Sequence, residues 1–139
     1  GDLYAANVTS VVAKGSSSDI TLREVGIVDV TTMSGDVDIC GVDTSLAVQT
    51  QPGEVEACDV TGTSAVVSTA SGGVQFEGGP QVAMIRTASG DVAVNLTAQE
   101  RYAVQASSSS GDVDVNVIPD RTSSRTLDVT TSSGDITVR

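Results

Sequence analysis

Residues 28–39 read Val-Asp-Val-Thr-Thr-Met-Ser-Gly-Asp-Val-Asp-Ile, and this order of apolar and polar residues returns along the whole chain. Its most constant part is the tetrapeptide Ser-Gly-Asp-Val. The glycine or its equivalent falls at positions 1, 18, 35, 53, 72, 90, 111 and 134, so successive copies are 17 to 23 residues apart. Self-similarity at a nearly fixed period is the signature of a repeat architecture.

Apolar residues keep fixed distances from this glycine and alternate with polar ones, as in a strand with one buried face. They form four columns of equivalent residues: Val11, Val28, Leu46, Ala65, Ala83, Val104 and Leu127; Ala13, Val30, Val48, Val67, Ile85, Ala106 and Val129; Val37, Val55, Val74, Val92, Val113 and Ile136; and Ile39, Ala57, Phe76, Val94, Val115 and Val138. A strand of about five residues cannot bury such a face alone, but equivalent strands that pair in parallel share a core. The sequence therefore predicts an all-β, single-stranded parallel β-solenoid (β-helix) of about seven to eight rungs. It would form one domain, residues 1–139, with an incomplete first rung.

Three further features complete the predicted rung. A column with inward parity precedes the turn, which favours a corner or core position: Thr32, Thr50, Thr69, Thr87 and Thr131, with Ser108 in line. A third, less regular segment is indicated by Val8, Val25, Val42 and Val60. Residues 97–101 and 119–126 lengthen the last copies and are expected to be surface loops. We expect the rungs to stack in chain order. The truncated first rung at Gly1 and the last strand, Ile136-Thr137-Val138, would then leave both ends without an obvious polar cap.

Composition and charge exclude several classes of partner. Seven Lys plus Arg against 18 Asp plus Glu give a net charge of −11, which disfavours nucleic acid and anionic lipid surfaces. The chain has no apolar run of about 20 residues and no signal-like opening segment. We therefore expect no membrane insertion, and an export signal, if one is used, outside this sequence.

The repeated valine strand, threonine, Ser-Gly-Asp and Val-x-Val resemble the bacterial adhesin-like family of toast-rack-like β-solenoid domains, over essentially the whole chain. The resemblance implies a β-solenoid in the bacterial envelope and supplies no catalytic residues. The repeats are also similar, more weakly, to those of bactofilins, which are polymerising β-solenoids with Gly-Asp-Val repeats. The additional Gly-x-Val spacing of bactofilins is missing here.

An acidic column follows the turn: Asp19, Asp36, Glu54, Asp91, Asp112 and Asp135. Two like charges about 5 Å apart repel by about 1 kcal/mol in water, so the stack needs an offset. One interpretation is that the carboxylates accept backbone N–H bonds of the turns. The alternative is Ca²⁺ bridging adjacent carboxylates, although calcium requires six to eight oxygen ligands and Gly73 interrupts the column. No other cofactor is expected.

The residues for catalysis are few. The chain has no histidine, which removes the usual general base. Asp38 lies between the inward residues Val37 and Ile39 and should face solvent, so its pairing with Asp36 does not indicate an acid–base dyad. We therefore expect a protein that is not an enzyme.

Three of the seven basic residues, Arg101, Arg121 and Arg125, lie in the two long loops. They indicate either a local patch for an anionic partner or ordinary solvated charges.

The two cysteines occupy equivalent positions of adjacent rungs, because Cys40 follows Gly35 and Cys58 follows Gly53 by the same five residues. Parallel in-register strands place equivalent Cα atoms about 4.8 Å apart, within the roughly 4.4 to 6.8 Å that a disulfide requires. The sequence predicts a Cys40–Cys58 bridge in an oxidising compartment. The alternative is a pair of reduced thiols in a cytoplasmic protein.

These observations favour a non-enzymatic, extracytoplasmic structural or adhesin-like module, at the cell surface or secreted. It would act as a rigid spacer or bind a protein or a cell-surface glycan. The alternative is a subunit of a solenoid filament or homo-oligomer that stacks end to end.

Overall fold

The computed structural model describes residues 3–17, 19–96, 102–116 and 120–139. Its strands are β1 (Leu3–Gly15), β2 (Ile20–Thr32), β3 (Val37–Pro52), β4 (Val55–Val60), β5 (Ser64–Ser71), β6 (Val74–Gly78), β7 (Val82–Ser89), β8 (Val92–Leu96), β9 (Ala103–Ser110), β10 (Val113–Val115), β11 (Thr126–Ser133) and β12 (Ile136–Val138). The described ranges contain no helix that is long and apolar enough to cross a membrane.

All strand pairs are parallel, and equivalent residues of the repeat stand opposite one another. Val28 pairs with Val11 on one side and Leu46 on the other, and Val37 pairs with Ile20 and Val55. Segments before the turn glycine form one ladder and segments after it form a second. The predicted all-β parallel solenoid is therefore confirmed.

The core is a thin layer of small aliphatic side chains between the ladders. The four predicted columns are buried in the interior rungs, and Phe76 is the largest side chain of the column to which it belongs. Val25, Val42 and Val60 are also buried, which confirms the third segment. Val8 of the same column, which lies in β1, is 38% exposed.

The rungs do not all stack in chain order. The strand order runs β3-β5-β7-β11-β9 in one ladder and β4-β6-β8-β12-β10 in the other. The pair β11 and β12, called here the inserted rung, lies between β7 and β8 on one side and β9 and β10 on the other. We call β9 and β10 the end rung. The prediction that Ile136-Thr137-Val138 forms an end of the solenoid is wrong.

Hydrogen bonds at the turns show the same exchange of position between the last two rungs. The Gly90 N–H donates to the carbonyl of Ser133 at 3.0 Å, and the Gly134 N–H donates to the carbonyl of Ser110 at 3.1 Å. The Gly111 turn thus lies beyond the Gly134 turn, although it comes first in the chain.

Linker length and core composition explain the exchange. A chain that leaves β8 must pass one rung level, about 4.8 Å, before it begins the end rung, and must later step back. The two connections involved are the long ones, with glycine-to-glycine spacings of 21 and 23 residues. The exchange places Ala106 and Ser108 at the open end and buries their larger counterparts Val129 and Thr131.

Residues 97–101 and 117–119 belong to these connections and lie outside the described ranges. The expected surface loops are therefore described only at residues 120–126, where Arg121, Thr122 and Thr126 are exposed.

Candidate functional site

From Gly53 onward, the turn glycines form a column that accepts no side chain. Six turn glycines have positive φ: Gly35, Gly53, Gly72, Gly90, Gly111 and Gly134. Gly72 has φ +130°, and a Cβ at this position would collide with the carbonyl oxygen of Gly53 one rung below. The turns from Gly53 onward can stack at rung spacing only because this position is bare.

Beside the glycines, the acidic column is bonded to the backbone. The Asp36 and Glu54 N–H groups donate to the carboxylates of Asp19 and Asp36, each at 3.1 Å. In the exchanged region the Asp135 N–H donates to Asp91 at 3.0 Å and the Asp112 N–H donates to Asp135 at 2.9 Å. Each of these carboxylates thus bonds the turn of the next rung in the stack.

These bonds supply an offset for the like-charge stacking, because a hydrogen bond from a backbone N–H to a carboxylate is charge-assisted and stronger than a neutral one. The donors belong to the neighbouring rung, which single-turn reasoning could not identify. Among the described residues, no three acidic, cysteine or histidine side chains group as a metal site. Calcium binding stays a prediction to be tested.

The threonine column is buried at the corner before the turn, in agreement with its inward parity. Thr32, Thr87 and Thr131 each donate a hydroxyl bond to the carbonyl two residues ahead, at 3.0, 3.3 and 3.2 Å. Thr69 lies 2.9 Å from the Gln51 carbonyl and 3.2 Å from the Ser71 carbonyl. Thr50 is the member whose hydroxyl is buried without a partner. Apart from Thr50, the threonines of the column therefore combine a methyl group in the core with a hydroxyl that bonds a backbone carbonyl.

Cys40 and Cys58 are joined by a disulfide across β3 and β4. The residues pair in register, and their Cα atoms are 4.5 Å apart. Both side chains are half-buried on the outward face. A bridge between residues 18 positions apart raises the free energy of the unfolded chain by about 3 kcal/mol in the chain-entropy model, because it removes conformational entropy.

On this outward face, the small residues Gly73 and Ala93 leave a shallow groove. Its walls carry the carboxylates of Asp36, Glu54 and Asp91. Asp38, on the same face, forms an exposed ion pair with Arg23 at 3.3 Å, so it is not held against Asp36 as an acid–base partner. The groove can attract cationic groups and repel anionic ones.

Two of the three loop arginines lie in the described part of the chain, and their surroundings differ. Arg125 donates to the Gly79 carbonyl at 2.9 Å and lies 5.9 Å above the Tyr102 ring, so it has a structural role. Arg121 is exposed, and Arg101 lies outside the described residues. Recognition of an anionic partner by these residues stays a prediction.

Tyr102 anchors the two connections, and sequence reasoning missed it. Its ring is buried, and its hydroxyl donates to the Pro80 carbonyl at 2.6 Å. The Asp120 N–H donates to the Tyr102 carbonyl at 2.8 Å, which ties the second connection to the first. The sequence signal that could have indicated this anchoring role is the position of Tyr102 beside a long connection, in a chain with only three aromatic residues.

Stacked turns, a thin aliphatic core and in-register ladders define the class of this protein: a parallel β-solenoid repeat domain. Residues 1–139 match the family model described as Toastrack DUF4097, and the chain belongs to this family. No curated protein and no solved structure gives a significant match.

Proposed function

We propose that the chain is a rigid, non-catalytic structural module of an extracytoplasmic compartment, where it acts as a spacer or presents a binding face. The observation that carries this proposal is the parallel ladder from β1 to β9, in which backbone bonds join each rung to the next. Such a stack resists bending because every rung shares core contacts and hydrogen bonds with its neighbours.

The disulfide supports the proposed extracytoplasmic location. Disulfides persist in oxidising environments and are rare in the cytosol. Mass spectrometry of protein alkylated without reduction, from cells that make it naturally, should show no alkylated cysteine. Two alkylated thiols would contradict the extracytoplasmic assignment.

The acidic groove supports a binding role for a cationic protein surface. A protein and glycan binding array, with a Glu54→Gln/Asp91→Asn variant as control, tests this role. We expect ligands that the wild type retains and the variant loses. Ligands retained equally by both would exclude the groove as the binding face.

A second candidate function is end-to-end assembly, favoured by the open edge of the end rung. Val113 is 41% exposed there, whereas Ile136, its partner in the inserted rung, is 1% exposed. Sedimentation velocity and electron microscopy over a range of concentrations test assembly. A monomer at all concentrations would exclude spontaneous assembly of the wild-type chain.

A further inference from the structure

The net charge of −11 is unevenly distributed over the two ladders. The acidic column lies at the turns, and the ladder after the turn adds outward carboxylates at Asp38, Glu56, Glu77 and Asp114. The strand segments before the turn carry two bases and two acids, which are Lys14, Arg86, Asp29 and Asp128. The outward side chains of this ladder before the turn, called here the neutral face, therefore have no net charge.

The neutral face also exposes apolar side chains. Val66 and Val82, in the middle of the stack, are 41% and 42% exposed. Ala47, Val66 and Met84 pair in successive strands and form an outward apolar column. The remaining outward residues of β5 are small: Ser64, Ser68 and Ala70. A second sheet can therefore pack on this face at the usual distance of about 10 Å. Apolar side chains grouped on one face are typical of an interaction surface.

The four charges of the neutral face follow a self-complementary order. Along the stack, the levels of this face are formed by β1, β2, β3, β5, β7, β11 and β9. Lys14 lies at the first level and Asp29 at the second. Arg86 lies at the fifth level and Asp128 at the sixth, whereas residues 45–52 and 64–71 between them carry no charge. The order is positive, negative, two uncharged levels, positive, negative. When it is read in reverse, every charge meets its opposite.

The two bases of the neutral face are also without a charged partner in their own copy. The ion pair of Arg23 with Asp38 belongs to the other ladder. Neither Lys14 nor Arg86 forms an ion pair with a described residue. Both are exposed, so their charges are accessible to a second molecule.

We propose that the neutral face binds the neutral face of a second copy, with the two stacks antiparallel about a two-fold axis between the levels of β3 and β5. The first level then faces the sixth, and the second faces the fifth. Lys14 lies at the level of Asp128 of the second copy, and Arg86 at the level of Asp29 of the second copy. Each of these pairs occurs twice, and Ala47 meets Val66 at the centre.

The size of the face agrees with a reversible dimer. Six facing levels at about 4.8 Å and about seven residues of each strand at about 3.3 Å give an area of about 29 Å by about 20 Å. Two copies would bury about 1,200 Å² in total, at the lower end of the range for stable interfaces. Because both copies use the same surface, the assembly closes at two.

This inference goes beyond the proposed function, because the contact is sideways and leaves the acidic groove and both ends of the stack open. Like-charge repulsion also favours the neutral face over any other side of the rod. Two molecules that each carry a net charge of −11 approach at the lowest cost where the charge is balanced.

Charge reversal with rescue is the direct test. Sedimentation velocity of the wild type over a range of concentrations should show a monomer–dimer equilibrium. Arg86→Asp alone and Asp29→Arg alone each place like charges at the same level, and each should raise the dimer Kd at least about tenfold. The double variant Arg86→Asp/Asp29→Arg should restore the wild-type Kd. An equimolar mixture of the two single variants should form heterodimers, because opposite charges then face each other again.

Arg23→Asp is the matched control, since it changes the net charge as much as Arg86→Asp does but lies on the other ladder. It should leave the dimer Kd within about threefold of the wild type. Circular dichroism melting of each variant verifies folding, and rescue by the double variant separates loss of the interface from loss of the fold.

Two outcomes would overturn the proposal. One is a wild type that stays a monomer up to millimolar concentration. The other is an assembly that neither single reversal weakens. If that assembly were an open series of oligomers, it would support the second candidate function instead.

Discussion

At the residue scale, three columns meet at the corners of the solenoid. The glycines make the turns, the carboxylates of Asp19, Asp36, Asp91 and Asp135 accept backbone N–H bonds of the next rung, and all but one of the threonines donate to a turn carbonyl. Their value comes from repetition at rung spacing.

Gly72→Ala tests the bare position of the turn. Gly72 has φ +130° and its added Cβ would meet the Gly53 carbonyl, so we expect a loss of about 3 kcal/mol in the free energy of unfolding. Gly73→Ala is the matched control, since a Cβ there meets only the Asp91 carbonyl oxygen at 3.6 Å. It should change stability by less than about 0.5 kcal/mol in urea titrations. Equal losses in both variants would contradict the steric argument.

Thr69→Val tests the threonine column. The substitution keeps the shape of the side chain and removes the hydroxyl that bonds the turn, so we expect a loss of about 1 kcal/mol. Thr50→Val removes a buried hydroxyl that has no partner, and it should leave stability unchanged or raise it. Chemical denaturation of the two variants side by side decides the matter, and a larger loss for Thr50→Val would refute the hydrogen-bond role.

At the element scale, the exchange of the last two rungs is the main departure from a simple repeat. Both connections to the end rung meet at Tyr102, which bonds Pro80 and receives the Asp120 N–H. The end rung and the inserted rung would expose different side chains at the end of the stack, and the end rung, which has the smaller and more polar side chains, occupies that position. This agrees with the general need of repeat proteins for a polar terminal repeat.

Engineered disulfides test the rung order. In a Cys40→Ser/Cys58→Ser background, Ala93→Cys with Thr137→Cys should form a bridge, as should Asp114→Cys with Thr137→Cys, because these residues pair directly. Ala93→Cys with Asp114→Cys should not, since two rung levels separate the Cα atoms by about 9.6 Å, beyond disulfide reach. Non-reducing peptide mapping distinguishes the orders. Stacking in chain order would give the 93–114 bridge and lose the 93–137 bridge.

At the scale of the whole molecule, the net charge of −11 acts along a narrow stack. Repulsion between exposed carboxylates opposes the compact state and is screened by salt. The hydrogen bonds of the acidic column lower this cost locally without removing it.

Salt titrations separate screening from calcium binding. We expect the melting temperature to rise between 10 mM and 200 mM NaCl, as the Debye length falls from about 30 Å toward less than 10 Å. CaCl₂ and MgCl₂ at equal ionic strength should give equal shifts. A further rise in the melting temperature with calcium alone, reversed by a chelator, would establish a calcium-binding site.

The sequence by itself determined the rung, the parallel ladders, the inward threonines and the alignment of Cys40 with Cys58. Each of these follows from local alternation and from the repeat period, which are written in neighbouring residues. The tertiary structure alone decided the order of the last two rungs, the bonding of four carboxylates of the acidic column to the next rung, and the packing of Arg125 on Tyr102. Equivalent rungs carry the same columns, so either order of the last two rungs forms nearly the same ladders. The order therefore depends on the length of the connections and on which rung exposes the smaller apolar side chains when it lies at the open end.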